Sequence, residues 1–251
     1  MKEEREPRIL DVQLTKHAEK KTKTTELIQL KLVSTNHIRA ARLDDPKSWP
    51  KFFQYFFYPK QLTFQNSFPL RLIAEIILAI FTVQIILQGY GAWSYQKING
   101  LNLLVHEAGH LTFYFAAWLG YGKITYFMGS GGQVLFPLAL GIFYWVKQRE
   151  IVGTSLMLWW SFENLVDVAE YVADAEVMVL MLTSGKTGRE SGYGGHDWNY
   201  LLTEWGHLQD CLTIADWLLF IANVGMVLSI LWALWSLFYY WFYQRKKRTD
   251  L

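Results

Sequence analysis

Trp217 to Trp241 is a run of 25 residues without one charged side chain. As a helix it rises roughly 37 Å, longer than the hydrocarbon core of a bilayer. Inside lipid a segment must satisfy its own backbone polar groups, which a helix does. Arg245-Lys246-Lys247-Arg248 follows the run directly. A basic cluster at the end of a span marks its cytoplasmic flank. The chain is therefore expected to be an all-α, polytopic membrane protein.

Composition agrees once the chain is divided. Residues 1–71 hold 14 Lys/Arg against 8 Asp/Glu, a net of +6; residues 72–251 hold 10 against 14, a net of −4. The first part reads as a basic cytoplasmic arm that lies beside anionic lipid. It ends in an aromatic stretch, Trp49 to Tyr58, suited to the bilayer interface. The second part, 72–251, reads as the transmembrane domain. Net charge over the whole chain is only +2, so nucleic acid is not an expected partner. No apolar core follows Met1 to Pro7, so no signal peptide is expected. The single cysteine, Cys211, excludes an internal disulfide framework and a Cys-based zinc finger.

Five apolar segments follow the arm. Crossings are expected over about 72–89, 101–119, 151–182 and 213–243. Arg71 and Arg245–Arg248 both belong inside, so the number of crossings is even and both termini are cytoplasmic. The fifth segment, about 129–146, contains Gly129-Ser130-Gly131-Gly132 and Pro137. Broken backbone at membrane depth needs protein or a cavity around it, so this segment is expected to be re-entrant. That places Lys123, Lys147 and Arg149 inside and the loop from about 183 to 209 outside. Membrane lipid is the expected standing partner.

The second segment carries the chemistry. His106-Glu107-Ala108-Gly109-His110 is an HExxH motif. Residues i and i+4 share one helix face, so both imidazoles can grip one zinc ion. Glu107 can then take a proton from water that the metal activates. The plain alternative is a polar contact between helices. Two histidines and a glutamate in an apolar span are costly, and such groups mark function by default.

A catalytic zinc needs a third protein ligand and an open position. The fourth segment offers Glu163, Asn164, Asp167, Glu170, Tyr171, Asp174 and Glu176. Positions 164, 167, 171 and 174 line one helix face. Glu170 and Asp174 stand four apart, as do Glu163 and Asp167. Depth in the bilayer favours Glu163 or Asp167 if that helix begins at Ile151. The plain alternative is an acidic helix end in solvent. In the outer loop, His196-Asp197 can be a ligand pair or a proton relay, or a capped turn. His207 is a weaker ligand candidate still, and His17 and His37 read as solvated.

At these residues the chain resembles the membrane-embedded zinc metallopeptidases, the group that includes the site-two proteases. It lacks their Leu-Asp-Gly setting for the later carboxylate. It is more similar to a group of small bacterial membrane proteins of this peptidase-like type. Their pattern is matched by His106–His110, Gly131–Pro137, Tyr171–Ala175 and His196–Trp198, within about 101–212. The resemblance implies that Asp174 and His196 matter, and it favours Asp174 as third ligand. His196, Asp197, Glu170, Asp167 and Glu163 remain as alternative ligands or supporting groups. Asn164 or Tyr171 would polarise the substrate carbonyl. The expected activity is hydrolysis of a peptide bond in or beside the membrane, with a membrane protein or peptide as substrate. The alternatives are a zinc hydrolase of a lipid or lipid-linked amide or ester, and a membrane subunit without activity.

Overall fold

A computed structural model describes residues 68–249 together with Lys51, Gln54 and Phe56. The arm and the aromatic stretch of 49–58 lie almost wholly outside these residues. The described chain is α-helical. Its helices are α1 (Phe68–Gln88), α2 (Trp93–Thr112), α3 (Tyr114–Trp118), α4 (Gly122–Phe143), α5 (Ile151–Ala173), α6 (Gly188–Ser191), α7 (Asp197–Trp205) and α8 (Cys211–Thr249). Three segments are long and apolar enough to cross a membrane: Phe68–Gly91, Gly122–Gln148 and Leu208–Phe242. The remaining long helices, α2 and α5, are more polar because they carry the chemistry-bearing side chains.

Helix α5 is central. Its residues Trp159, Phe162 and Val166 pack with residues of α8 and α1. Small residues let α5 and α8 approach closely. A Cβ at Gly225 would lie 2.2 Å from the Phe162 ring, and Ser155 donates to the Ser229 carbonyl at 2.7 Å. Helix pairs in membranes associate through such small-residue contacts. Helix α1 buries Glu75, Leu78, Thr82 and Ile85 at helical spacing. Trp159 donates to Thr82 Oγ1 at 2.8 Å.

The helix ends fix the topology. Arg71, near the start of α1, pairs with Glu150, which caps the start of α5. Phe68, Val152, Leu237 and Tyr240 form a cluster at that same end. The C-terminal end of α8 is therefore there too. So is the end of α4, which runs through a π-helical turn, Tyr144–Gln148, into Glu150. Helices α1, α4, α5 and α8 each run the length of the bundle. Helices α2 and α3 join the far end of α1 to the far end of α4, so they begin and end on one side.

The helices differ from the expected segments in three places. The run 129–146 is an unbroken helix apart from its final π turn, not a re-entrant loop. Its glycines make helix contacts instead of a break. A Cβ at Gly109 would lie 2.0 Å from the Met128 carbonyl oxygen, and one at Gly132 would lie 3.0 Å from Gly109 Cα. The segment 101–119, expected as one crossing, is divided at Phe113 between α2 and α3. Segment 151–182 also ends early. The helix stops at Ala173, and a turn leads to an antiparallel bridge between Met181 and Thr187.

Candidate metal centre

His106 and His110 sit one turn apart on α2, and both imidazoles face α4 and the start of α7. His106 Nε2 lies 3.0 Å from His110 Nε2 and 3.2 Å from Asp197 Oδ2. His110 Nε2 lies 3.1 Å from the same oxygen. The three atoms form a nearly equilateral triangle that could hold a metal ion. His106 and Asp197 are buried and His110 is half-buried.

The outer bonds of these groups decide what the triangle can do. His110 Nδ1 is 2.8 Å from the Thr125 carbonyl, which can only accept, so Nδ1 carries the proton. His106 Nδ1 is 3.2 Å from Gln133 Oε1 and donates to it. Both Nε2 atoms therefore present lone pairs. Asp197 Oδ2 is a third acceptor. Three acceptors face one another with no proton between them, an arrangement a cation resolves. Tetrahedral bonds of roughly 2.0–2.1 Å place ligand atoms about 3.3 Å apart, close to this triangle. Gly129 completes the fit. A Cβ there would stand 2.4 Å from His110 Nε2 and 2.6 Å from His106 Nε2, so only glycine leaves the space free.

The loop delivers Asp197 through three consecutive residues. His196 is the N-cap of α7 and accepts from the Asn199 N–H through Nδ1. Asp197 projects into the site, and its own N–H donates to the Tyr171 hydroxyl at 3.1 Å. Trp198 docks on α4 by donating to Ser130 Oγ at 2.9 Å. Burial holds His196 below the ordinary imidazole value, against the pull of Asp174 and Asp197.

Asp174 stands apart from the triangle. Its carboxylate accepts from the backbone N–H groups of Val179 and Leu180 at 2.9 and 3.0 Å. It also lies 3.3 Å from His196 Nε2, and the His196 ring stacks on Tyr171 at 4.1 Å. Its visible work is to hold the turn after α5 and the loop that carries Asp197. The other acidic residues of α5 divide by depth. Asp167 accepts from Asn99 and Gln133, and the single proton of the Tyr95 hydroxyl lies between Asp167 and Glu170. Glu163 accepts from Asn102 at 2.9 Å, and Asn164 donates to the Trp160 carbonyl.

A cavity of about 490 Å³ opens on the triangle. Glu107, Tyr171, Asp167, Glu170 and the segment Leu180–Ser184 line it, together with His106, His110 and Asp197. Glu163, Asn164 and Asp174 are not among its lining residues. Glu107, Asp167, Glu170 and Asp197 give it four carboxylates, and none of the lining residues is Lys or Arg.

Sequence reasoning missed Gln133 and read Gly129 only as a break. Their spacing of four, which puts both on one helix face, was the available signal. Comparison with protein-family models, with curated proteins and with solved structures finds no match for this chain.

Proposed function

We propose that this chain is an integral-membrane zinc metallopeptidase that hydrolyses peptide bonds in or next to the membrane. The observation that carries the reading is the convergence of His106 Nε2, His110 Nε2 and Asp197 Oδ2, three acceptors without a shared proton, on one wall of a cavity. Two imidazoles and a carboxylate, with one side open, suit a catalytic zinc. When bound, zinc acts as a Lewis acid toward the substrate carbonyl and water.

The chain's own groups supply the rest. Glu107, next to His106 and exposed to the cavity, takes the proton of the attacking water on its carboxylate and returns it to the leaving nitrogen. The Tyr171 hydroxyl, beside the Asp197 N–H, is placed to polarise the carbonyl oxygen. Asn164 does not reach the cavity, so Tyr171 takes that role alone. Asp197 takes the third ligand position, and Asp174 and His196 hold the loop that presents it. A substrate helix must unwind locally here, since its amides are otherwise closed by their own hydrogen bonds.

The same reading sets four crossings, α1, α4, α5 and α8. Arg71, Lys147, Arg149 and Arg245 gather at the cytoplasmic face of a bacterial inner membrane. Helices α2 and α3 take the non-crossing place on the opposite side. Against a phospholipid substrate stands the cavity's charge: four carboxylates and no cation repel a phosphate headgroup. A purely structural contact would pair donors with acceptors, which the triangle does not.

The test uses the purified full chain in lipid vesicles, with zinc and a pool of quenched fluorogenic peptides. Glu107→Gln should lower hydrolysis by about 10²–10⁴-fold while zinc content is unchanged. Equal hydrolysis by Glu107→Gln contradicts the reading. So does release of lipid fragments from lipid-only vesicles with no peptide cleaved.

A further inference from the structure

Behind His106 lies a chain of buried polar groups that the hydrolysis itself does not use. Gln133 on α4 is 1% exposed. Its Oε1 faces His106 Nδ1 at 3.2 Å, and its Nε2 donates to Asp167 Oδ2 in a short hydrogen bond. The other oxygen of Asp167, Oδ1, is already taken. It faces the Tyr95 hydroxyl at 2.9 Å and accepts from Asn99 Nδ2 at 3.1 Å.

We propose that Asp167 and Gln133 form an orientation relay that locks His106 into the tautomer a metal ion requires. The inference rests on the metal-centre reading above. An amide side chain packs almost equally well in either of two flips, and only its partners choose between them. With Oε1 toward His106, Nδ1 keeps the proton and Nε2 is bare. A flipped Gln133 would offer its NH2 to Nδ1. The imidazole proton would then move to Nε2, into the place between His106, His110 and Asp197.

Asp167 decides the flip. A carboxylate can only accept, so it takes the NH2 of Gln133 and rejects its carbonyl. Tyr95 and Asn99 hold that carboxylate in place from α2, the helix that carries His106. The direction of donation then runs one way, from His106 to Gln133 to Asp167. His110 needs no such device. Its Nδ1 donates to a backbone carbonyl, Thr125 O, which has no second flip. One histidine is thus fixed by backbone and the other by a side chain that requires its own orienting group. Gln133 and Asp167 are positioning residues: neither belongs to the triangle, and both act through His106. Partners of this kind change metal affinity by about 10–100-fold when removed.

The test is zinc affinity of the purified full chain in detergent, measured by competition with a chromophoric chelator. Gln133→Leu and Asp167→Asn should each weaken zinc binding by about 10–100-fold. The double variant Gln133→Glu with Asp167→Asn should recover most of that loss. Its carboxylate at 133 can only accept from Nδ1, and its amide at 167 donates to that carboxylate. A role in packing alone predicts no such recovery. A second measurement needs no substitution at 133 or 167. In the metal-free parent, nitrogen-15 signals of His106 should show a protonated Nδ1 and an unprotonated Nε2. The signals are assigned by their loss in His106→Ala.

Zinc binding by Gln133→Leu within twofold of the parent overturns the relay while the metal centre stands. So does a protonated Nε2 in the parent, or a double variant as weak as the single ones. A parent that binds no zinc overturns the metal centre, and the relay with it.

Discussion

A methyl group at position 129 would stand 2.4 Å from His110 Nε2 and 2.6 Å from His106 Nε2. Alanine is the better helix former by about 1 kcal/mol, so Gly129→Ala separates the site from the scaffold. Zinc affinity should fall at least about tenfold, because both imidazoles must leave the positions a metal requires. The thermal midpoint of the metal-free protein, followed by circular dichroism in detergent, should not fall. Unchanged zinc affinity in this variant would mean that the imidazoles bind elsewhere. At this scale the two histidines and Glu107 were legible from the sequence, because HExxH needs only the geometry of one helix turn. The carboxylate was not. Asp197 stands 91 residues from His106 and 87 from His110, and only the folded loop brings it back. Asp174 was favoured in the sequence by the resemblance and stands four residues after Glu170. The difference is that the Val179 and Leu180 N–H groups engage Asp174, while Asp197 has the imidazoles as neighbours.

Among the elements, α4 shows how a composition rule can mislead. Gly129-Ser130-Gly131-Gly132 and Pro137 suggest a break, yet the helix is continuous from Gly122 to Phe143. Three of the small residues meet groups from other elements. Gly129 faces the imidazoles, Gly132 faces Gly109, and Ser130 receives the Trp198 N–H. Close approach between helices asks for the same residues that a bend does. Helix α5 was legible as a polar face on a long helix, and its acids do lie at helical spacing. What they do was not legible. Asp167 works through Gln133 and Tyr95, and Glu163 through Asn102. Those partners sit on α2 and α4, and nothing in the local sequence of α5 names them. His196-Asp197-Trp198 was noticed as a unit, and it proves to be one structurally: a cap, a site carboxylate and an anchor on consecutive residues.

For the whole molecule, the proposed arrangement keeps an even number of crossings, with α4 in place of segment 101–119. The arrangement of helix ends puts Gly120, between α3 and α4, on the side of the loop that carries Asp197. Single-cysteine variants in a Cys211→Ala background test this with an impermeant thiol reagent on sealed, right-side-out vesicles. Cysteines at Gly120 and Gly192 should react, and one at Lys147 should not. Reaction of Lys147→Cys together with Gly120→Cys, or protection of Gly120→Cys beside a reactive Gly192→Cys, would contradict the four-crossing arrangement. The central claim is the metal centre itself, and metal content tests it most directly. The measurement compares the parent with His106→Ala, Asp197→Ala and Asp174→Ala, all purified after zinc is supplied at neutral pH. The account predicts about one zinc per chain in the parent and in Asp174→Ala, and none in His106→Ala or Asp197→Ala. A parent without zinc, or zinc kept in Asp197→Ala and lost in Asp174→Ala, would contradict it.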